Sequence, residues 1–298
     1  MKKIIFLMFI LFTFTNCEDV VDVDLDSEPP RLIVDALIRV DTAQDLTEAN
    51  IRVSLSSSFF GEIQPAEIET MQIMNEESGA FVPYEPVPGE PGLYRPFPTT
   101  VSPVSPDNKI LTSFLTNPNP VYVFTVRYQD ELYLARTSFA PTTPINSIVQ
   151  GDDTLFDEND KEFIISFTDT PDREDFYIFD FDFGEFLTVE DTFFPGQDFE
   201  FSYFYDGEDF PLETGDEVTI SILGADETFY NYMEQLITQS DLTDGGPFQV
   251  PVSTVRGNIL NAEGIDNIDI FDNVGRPNNF ALGYFAISQE FKNTVIVE

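Results

Sequence analysis

The chain has 298 residues, with 54 Asp or Glu against 14 Lys or Arg, so its formal net charge at pH 7 is −40. This excess of acids argues against nucleic acid and anionic lipid headgroups as charge-driven partners, because phosphate binding needs clustered Lys and Arg. There is no His and a single Cys, which excludes Ser-His-Asp and Cys-His catalysis and an ordinary zinc site. Since 42% of the residues are hydrophobic and 31 are Phe, we expect a folded, aromatic-rich interior.

The first sixteen residues have the proportions of a secretory signal. Met1-Lys2-Lys3 is a short positive start, and residues 4–14 are almost wholly apolar but too few for a stable membrane span. The run ends in Phe14-Thr15-Asn16-Cys17, which resembles the lipobox of a bacterial lipoprotein, where the cysteine is acylated and becomes the mature N-terminus. A lone cysteine has no internal disulfide to form, so we expect Cys17 to carry lipid. The alternative is an ordinary signal peptide followed by an incidental free cysteine.

An acidic tether is predicted over residues 17–30, and it ends in Pro29-Pro30, a pair that favours extended backbone. Removing residues 1–16 takes away two lysines and no acids, which lowers the formal net charge from −40 to −42. An acidic stretch directly behind a lipidated cysteine resembles the signals that export lipoproteins to the cell surface in Bacteroidetes. We therefore expect an outer-membrane protein that faces outward, and the alternative is a soluble spacer.

Short strands separated by Gly, Pro and Asn turns are predicted for the first half of the chain. The clearest strands are residues 32–38, 51–56, 68–74 and 121–128. This spacing is typical of a sandwich, so we predict an N-terminal β-sandwich of the immunoglobulin or transthyretin type over residues 31–140. The prolines of Pro141-Thr142-Thr143-Pro144 break the pattern, and we place a domain boundary there.

A second β-rich domain is predicted over residues 145–298. Its most aromatic strand is residues 176–183, where the odd-numbered positions are Tyr or Phe and share one face. One amphipathic helix is predicted over residues 226–240, because Asp226 can cap its start and an apolar stripe follows at helical spacing. The stripe consists of Phe229, Met233, Leu236 and Ile237. The fold class is therefore mainly β, with two β-sandwich-like domains and one C-terminal amphipathic helix.

Short segments along nearly the whole mature chain match one known family in order. They are Cys17-Glu18, Leu32-Ile33-Val34-Asp35-Ala36, Gly92-Leu93-Tyr94, Tyr122-Val123-Phe124-Thr125-Val126, Pro141-Thr142-Thr143-Pro144-Ile145, the helix around Tyr230 and Tyr232, Pro247-Phe248, Gly257-Asn258-Ile259 and Leu282-Gly283-Tyr284-Phe285. Their order resembles that of Bacteroidetes lipoproteins known as domain of unknown function 4249 (DUF4249). Genes of this family commonly lie beside TonB-dependent outer-membrane receptors, so the resemblance implies an accessory role at such a transporter. It implies no catalytic residues. The N-terminal half also resembles the transthyretin-like sandwiches found as carboxypeptidase regulatory domains.

Acidic clusters are candidates for calcium, which prefers oxygen ligands. One cluster combines Asp152, Asp153, Asp157 and Asp160, and a second combines Asp172, Glu174 and Asp175. Residues 157–160 lack the ligand spacing and central Gly of an EF-hand loop. We prefer solvated acidic loops for both clusters and predict neither metal nor cofactor.

Two carboxylates, Asp180 and Asp182, share one face of the predicted strand at residues 176–183 and could flank a sugar in a glycoside hydrolase. Nothing in the sequence marks either one as desolvated, which acid catalysis requires. We therefore predict that the protein is not an enzyme, with a carboxylate-dependent hydrolase as a third alternative.

Residues 193–210 are unusually aromatic and form the candidate binding face. Alternation with polar residues places Phe199, Phe201 and Tyr203 in a core. Four others do not fit that alternation, so we predict a ligand-binding or partner-docking edge. They are Phe193, Phe194, Phe204 and Phe210. The leading functional hypothesis is a non-enzymatic binding or accessory subunit of a TonB-dependent transporter, and the alternative is an adhesion or structural envelope lipoprotein.

Overall fold

The computed structural model describes residues 29–57, 62–117, 120–154, 160–193, 195–206, 211–241, 254–263 and 279–298, without the side chains of residues 193 and 241. The predicted signal and nearly all of the predicted tether, with Cys17, lie outside these residues. The protein is mainly β, with 51% of residues in strands and 9% in helices, which confirms the predicted class.

The bounds of the regular elements follow the predicted runs closely in the first half, where each of the four clearest runs forms a strand. The strands are β1 (Leu32–Val40), β2 (Leu46–Thr47), β3 (Ile51–Leu55), β4 (Gln64–Pro65), β5 (Thr70–Asn75), β6 (Phe81–Pro86), β7 (Leu93–Pro96), β8 (Ile110–Leu111), β9 (Val121–Tyr128), β10 (Glu131–Ala140), β11 (Ile145–Gln150), β12 (Lys161–Thr168), β13 (Phe176–Asp180), β14 (Phe186–Glu190), β15 (Asp198–Tyr205), β16 (Glu217–Ala225), β17 (Leu260–Asn261) and β18 (Leu282–Ile296). The helices are α1 (Thr112–Leu115) and α2 (Glu227–Asp241), and residues Asp191–Phe193 form a 3-10 turn.

Eight strands form a closed, barrel-like ring in the order β18-β1-β3-β7-β6-β5-β9-β10, and β10 returns to β18. The closing strand comes from the far end of the chain: β18 runs parallel to β1 from Ile33 opposite Leu282 to Val40 opposite Gln289. The sandwich predicted for residues 31–140 is therefore not confirmed, and neither is its transthyretin-like resemblance. Closure gives every strand of the ring two neighbouring strands. Residues 31–140 by themselves could not predict it, because the closing strand β18 lies outside them.

The ring encloses an apolar core because its strands alternate strictly. On β1 the even-numbered residues from Leu32 to Val40 are buried, while Ile33, Asp35, Leu37 and Arg39 point outward. Across the core, Phe285 of β18 stacks on Phe124 of β9 with ring centroids 5.1 Å apart. Burial of each such large apolar side chain contributes about 1.5–3 kcal/mol, so the core holds the closing strand in place.

Two sheets face a second core in the other half. One contains β14, β13, β16 and the last part of β18, and the other contains β11, β12 and β15. Their inner faces meet through aromatic rings: Phe167 contacts Tyr177, and Phe179 contacts Phe201, each pair with centroids 5.0 Å apart. Because β18 also pairs with β1 and β10, this one strand belongs to both sides of the boundary predicted at residues 141–144. The domain division itself stays a prediction.

The predicted helix is present as α2, one residue later than expected at each end. Asp226 caps it, since the Phe229 amide donates a 2.7 Å hydrogen bond to Asp226 Oδ1. Phe229 and Tyr230 are buried in a small cluster with Ile178, Leu223 and Tyr284, so the helix packs on the outer face of β13 and β16. Within the described residues, no helix is long and apolar enough to cross a bilayer.

The strand predicted over residues 176–183 is too long. β13 ends at Asp180, because Asp182 has a φ of +70° and Gly184 a φ of +80°, the left-handed conformation that turns use. Phe181 stays in the core, but Phe183 is 39% exposed. Asp182 therefore lies in a turn and not beside Asp180 on a strand.

Asn258 completes the ring where β10 and β18 are not yet paired. Its Oδ1 accepts the Phe285 amide at 2.9 Å, and its Nδ2 donates to the Phe285 carbonyl at 2.8 Å and to the Arg136 carbonyl at 3.2 Å. The side chain thus replaces a strand residue. The preceding Gly257 is required by contact, since a Cβ there would lie 1.7 Å from the carbonyl oxygen of Gly283.

We predict that Asn258→Ala lowers the free energy of unfolding by about 2–3 kcal/mol, because three hydrogen bonds to the ring backbone are lost. Urea denaturation followed by circular dichroism measures this. Asn50→Ala is the matched control, since Asn50 is exposed and, among the residues that the structure describes, its side-chain amide bonds only to Glu48; we expect a change below about 0.5 kcal/mol there. Equal losses in both variants would show that Asn258 does not hold the ring closed.

Candidate binding groove

A groove of about 460 Å³ lies between the outer face of β1 and helix α2. β1 supplies Ile33, Asp35, Leu37 and Arg39. The helix supplies Phe229, Tyr232, Met233 and Leu236, while Val34 of β1, Phe186 of β14, Gly283 and Tyr284 complete the lining. We call this set the α2–β1 groove.

Simple periodicities place these side chains. Alternation along β1 turns every second residue outward, which brings the odd-numbered residues from Ile33 to Arg39 to the groove. On α2, the spacing of Phe229, Tyr232, Met233 and Leu236 is i, i+3, i+4 and i+7, so all four share one helix face. The two faces are held against each other because α2 is packed on β13 and β16, next to β18 and β1 in the sheet.

Three aromatic rings in mutual contact form the base of the groove. Tyr284 lies 4.8 Å from Phe229 and 4.9 Å from Tyr232 between ring centroids. Phe229 and Tyr284 are buried, Tyr232 and Met233 are half-buried, and Leu236 is 37% exposed at the mouth. The base is therefore preformed, and the mouth offers apolar surface to an incoming group.

Two phenol groups supply hydrogen-bonding capacity. Among the described residues, neither the Tyr232 hydroxyl nor the Tyr284 hydroxyl has a hydrogen-bond partner. Burial, and then the charge of Asp35, raises the pKa of Tyr232 to about 12. Burial, and then the charge of Asp226 and the nearby Tyr232, raises the pKa of Tyr284 as well. Both phenols therefore keep their protons at neutral pH and are available as donors.

Arg39 forms the charged end of the groove and joins the ring to the second half. Its Nη1 lies 2.7 Å from Asp180 Oδ2, and its Nη2 lies 2.7 Å from Glu290 Oε1. Lys292 approaches the other oxygen of Glu290 at 3.2 Å. Glu290 is 4% exposed and Asp180 is 9% exposed, so Asp180 depends on Arg39 for charge compensation and Glu290 depends on Arg39 together with Lys292. The arginine is thereby fully engaged within the protein.

We predict that Arg39→Met lowers the free energy of unfolding by about 3 kcal/mol, because it leaves the buried Asp180 without its cationic partner and the buried Glu290 with Lys292 alone. Chemical denaturation measures the change. Arg95→Met is the matched control: Arg95 pairs with Glu85 at 2.8 Å, but both side chains are about a third exposed, and we expect a loss of at most about 1 kcal/mol. A loss at Arg39 no larger than that at Arg95 would contradict a supporting role for this ion pair.

The first acidic cluster considered for calcium is described only in part. Asp152 and Asp153 are exposed, Asp160 is buried, and Asp157 lies outside the described residues. The Asp153 amide donates to Glu162 Oε2 at 3.2 Å, which ties this loop to β12. Within the part of the chain that the structure describes, no group of three or more acids is arranged to hold a metal ion.

Asp175 of the second acidic cluster belongs to a buried polar network that the sequence did not indicate. Tyr177 donates to Asp169 and, at 3.1 Å, to Asp175, which also pairs with Arg173. Asp169 accepts the Gly196 amide at 2.6 Å. Burial, and then the charges of Asp169 and Asp175, raises the pKa of nearby Asp191. The Asp191 amide also donates to the Asp175 carbonyl at 3.2 Å, so these contacts hold Asp191 and Gly196 next to the start of β13.

Asp180 and Asp182, the two carboxylates considered for a hydrolase, have different structural environments. Asp180 is held by Arg39 at the end of β13. Asp182 lies in the following turn, where its amide donates to Asp180 Oδ1 at 3.0 Å. They do not share a strand face, which removes the geometric reason for pairing them.

The predicted aromatic face over residues 193–210 is described only in part. Phe199, Phe201 and Tyr203 pack into the second core, as alternation indicated. Phe204 is half-buried in β15, opposite Glu162 in the register. Phe194, Phe210 and the side chain of Phe193 lie outside the described residues, so this face stays a prediction.

The sequence predicts no site at the α2–β1 groove, although three of its lining residues belong to the predicted apolar stripe of the helix. The helix stripe of Phe229, Met233 and Leu236 was visible, but Tyr232, Tyr284 and Asp35 were not selected as site residues. The available signal was Asp35, an acid inside the apolar run of residues 32–38 whose alternation points outward. That Tyr232 of α2 lies in the same groove as Asp35 is visible only in the tertiary structure.

A family model matches most of the chain. The model of a family described as "Domain of unknown function (DUF4249)" matches residues 18–294. A comparison with curated proteins yields no match. Among solved structures, a DUF4785 family protein from Legionella pneumophila is similar at 10% identity and a TM-score of 0.21. That likeness covers 65% of this chain and 52% of the Legionella protein, so the chain spans about half the length of that protein.

Proposed function

The chain belongs to the DUF4249 family, and we propose that it is a lipid-anchored, non-enzymatic binding subunit that assists a TonB-dependent transporter of the outer membrane. The observation that carries the proposal is the α2–β1 groove. It combines a preformed aromatic base, two phenol donors without partners in the described residues and apolar surface at its mouth. Such an arrangement suits binding and orientation of another molecule.

The leader sequence supports the anchor. Residues 1–16 followed by Cys17 resemble a bacterial lipoprotein signal, and an acyl chain contributes about 0.8 kcal/mol of membrane affinity per buried methylene. Pro29 lies twelve positions after Cys17, a span of at most about 40 Å when the chain is fully extended. β1 begins three residues after Pro29 and forms one wall of the groove, so the groove is close to the end of the tether.

The acidic tether supports an outward orientation at the surface of a Bacteroidetes cell. An acidic sequence directly behind the lipidated cysteine resembles the export signals of surface lipoproteins. The common position of genes of this family beside those of TonB-dependent receptors supports the transporter as partner. An adhesion or structural envelope lipoprotein is the alternative role for the same anchored protein.

We predict that Cys17→Ala abolishes acylation and moves the protein from the detergent phase to the aqueous phase, because the chain has no other cysteine. Metabolic labelling with a fatty-acid analogue and detergent-phase partitioning measure this. Asn16→Ala is the control, since it changes the neighbouring residue and leaves the sulfur. A Cys17→Ala variant that still labels and partitions like the wild type would refute lipidation.

The same strains report orientation. If the protein faces outward, protease added to intact cells removes it, while a periplasmic marker stays intact. Protection in intact cells, with cleavage only after lysis, would place the anchored protein inside the envelope.

We predict that the tagged full chain, extracted in mild detergent, co-purifies with a TonB-dependent receptor identified by mass spectrometry. Buried aromatic anchors each contribute about 2 kcal/mol or more to an interface, so a complex built on them should survive extraction. An untagged strain is the control. Recovery of the protein alone, under conditions that keep other lipoprotein–receptor complexes intact, would favour the adhesion or structural role.

A further inference from the structure

We propose that the α2–β1 groove receives a segment of a partner protein that carries a lysine or arginine next to large apolar side chains. The inference rests on the proposed binding function and specifies its surface and the chemistry of its partner. Three features of the groove lead to it: apolar anchoring surface, surplus negative charge and free phenol donors.

The apolar surface fits side chains. Met233 is half-buried, Leu236 is 37% exposed, and Phe186 faces the same mouth from β14. A volume of about 460 Å³ is at the small end of ligand sites, which suits a few inserted side chains. Large apolar residues of a partner would anchor there, as in interfaces where a few buried residues dominate the affinity.

The charge around the groove favours a cation. Asp35 is exposed on the β1 wall, and α2 carries exposed Glu227 and Glu234 but no Lys or Arg. Arg39 is neutralised by Asp180 and Glu290. Arg52 stands opposite Asp35 in the strand register, yet no ion pair joins the two within the described residues. Asp35 is therefore available to a basic side chain.

The overall charge acts in the same direction. At −40, the chain attracts basic segments and repels acidic ones over the range of the screening length. A second copy of this chain would bring the same excess of acids, which opposes self-association through this face. A basic partner segment is therefore attracted both by the acidic groove and by the negative field of the whole protein.

The phenols complete the recognition. Tyr232 and Tyr284 can donate hydrogen bonds to backbone carbonyls of a bound segment. The face of Tyr232 beside Asp35 also suits a cation, because an aromatic ring attracts Lys or Arg above its plane. A carbohydrate would need several converging polar side chains, whereas this mouth is formed by Phe186, Met233 and Leu236.

Synthetic peptides test the assignment with the purified full chain in detergent. The probes are fluorescein-labelled octapeptides with a central lysine between leucine and phenylalanine, and the same peptide with glutamate or norleucine in place of lysine. Fluorescence anisotropy should show the lysine peptide binding about tenfold more tightly than the glutamate peptide, with a strong dependence on salt.

Variants locate the site. Asp35→Asn should weaken the lysine peptide about fivefold and leave the norleucine peptide unchanged, since only the charge contact is lost. Asp152→Asn is the matched control, because it removes one exposed carboxylate from a loop of the second half. Leu236→Trp introduces the only tryptophan of the chain at the mouth, and its emission should shift on binding; Val149→Trp, on exposed β11, should not respond. Circular dichroism verifies that each variant is folded.

Four results would overturn the proposal: equal binding of the lysine and glutamate peptides, equal effects of Asp35→Asn and Asp152→Asn, no binding of the lysine peptide to the wild type, or a response of the tryptophan at position 149 alone. The proposed function is judged separately by co-purification. If the receptor still co-purifies with the Asp35→Asn and Tyr232→Ala variants, the α2–β1 groove is not the docking surface. If it is also lost from the double variant Phe193→Ser, Phe194→Ser, the proposed function holds and the docking surface lies at residues 193–210.

Discussion

The backbone pairing of β18 is the constraint on which the rest of the structure depends. This single strand of 15 residues pairs with β1 and β10 in its first part and with β16 in its last part. It closes the ring and continues as a strand of the second half. Its middle is buried on both faces, with Ser288 and Glu290 almost inaccessible, and the Ser288 hydroxyl has no partner in the described residues. Burying a hydroxyl without a hydrogen bond costs free energy, and the continuous pairing of β18 offsets this cost.

The α2–β1 groove is a consequence of that pairing. β18 brings Tyr284 beside β1, where Asp35 lies opposite it in the register. β18 also pairs with β16, on which α2 packs. The apolar face of the helix and the outer face of β1 therefore lie on either side of Tyr284. Gly283 permits the approach, since a Cβ there would lie 1.9 Å from the carbonyl oxygen of Val34. Two halves that are distant in sequence thus build one site.

Charge is distributed according to burial. The acids that enter the interior have partners: Asp180 and Glu290 share Arg39, and Glu162 accepts from Ser202 at 2.5 Å. Such pairing is required because an isolated buried carboxylate costs several kcal/mol, on the order of 3 to 5 when a partner is removed. The exposed acids among the described residues repel one another weakly and add to the negative field at the groove.

The sequence by itself determined the mainly β class, the strands at residues 32–38 and 121–128, and the helix with its Asp226 cap, because alternation, helical spacing and capping are local. It also marked Phe229, Met233 and Leu236 as one helix face. Only the tertiary structure decided the closed ring, the role of Asn258, the pairing of Arg39 with Asp180, and the meeting of Asp35, Tyr232 and Tyr284. The reason is that each of these depends on a long-range register, set when residues 282–296 pair with strands from both halves, and no local pattern encodes that partner choice.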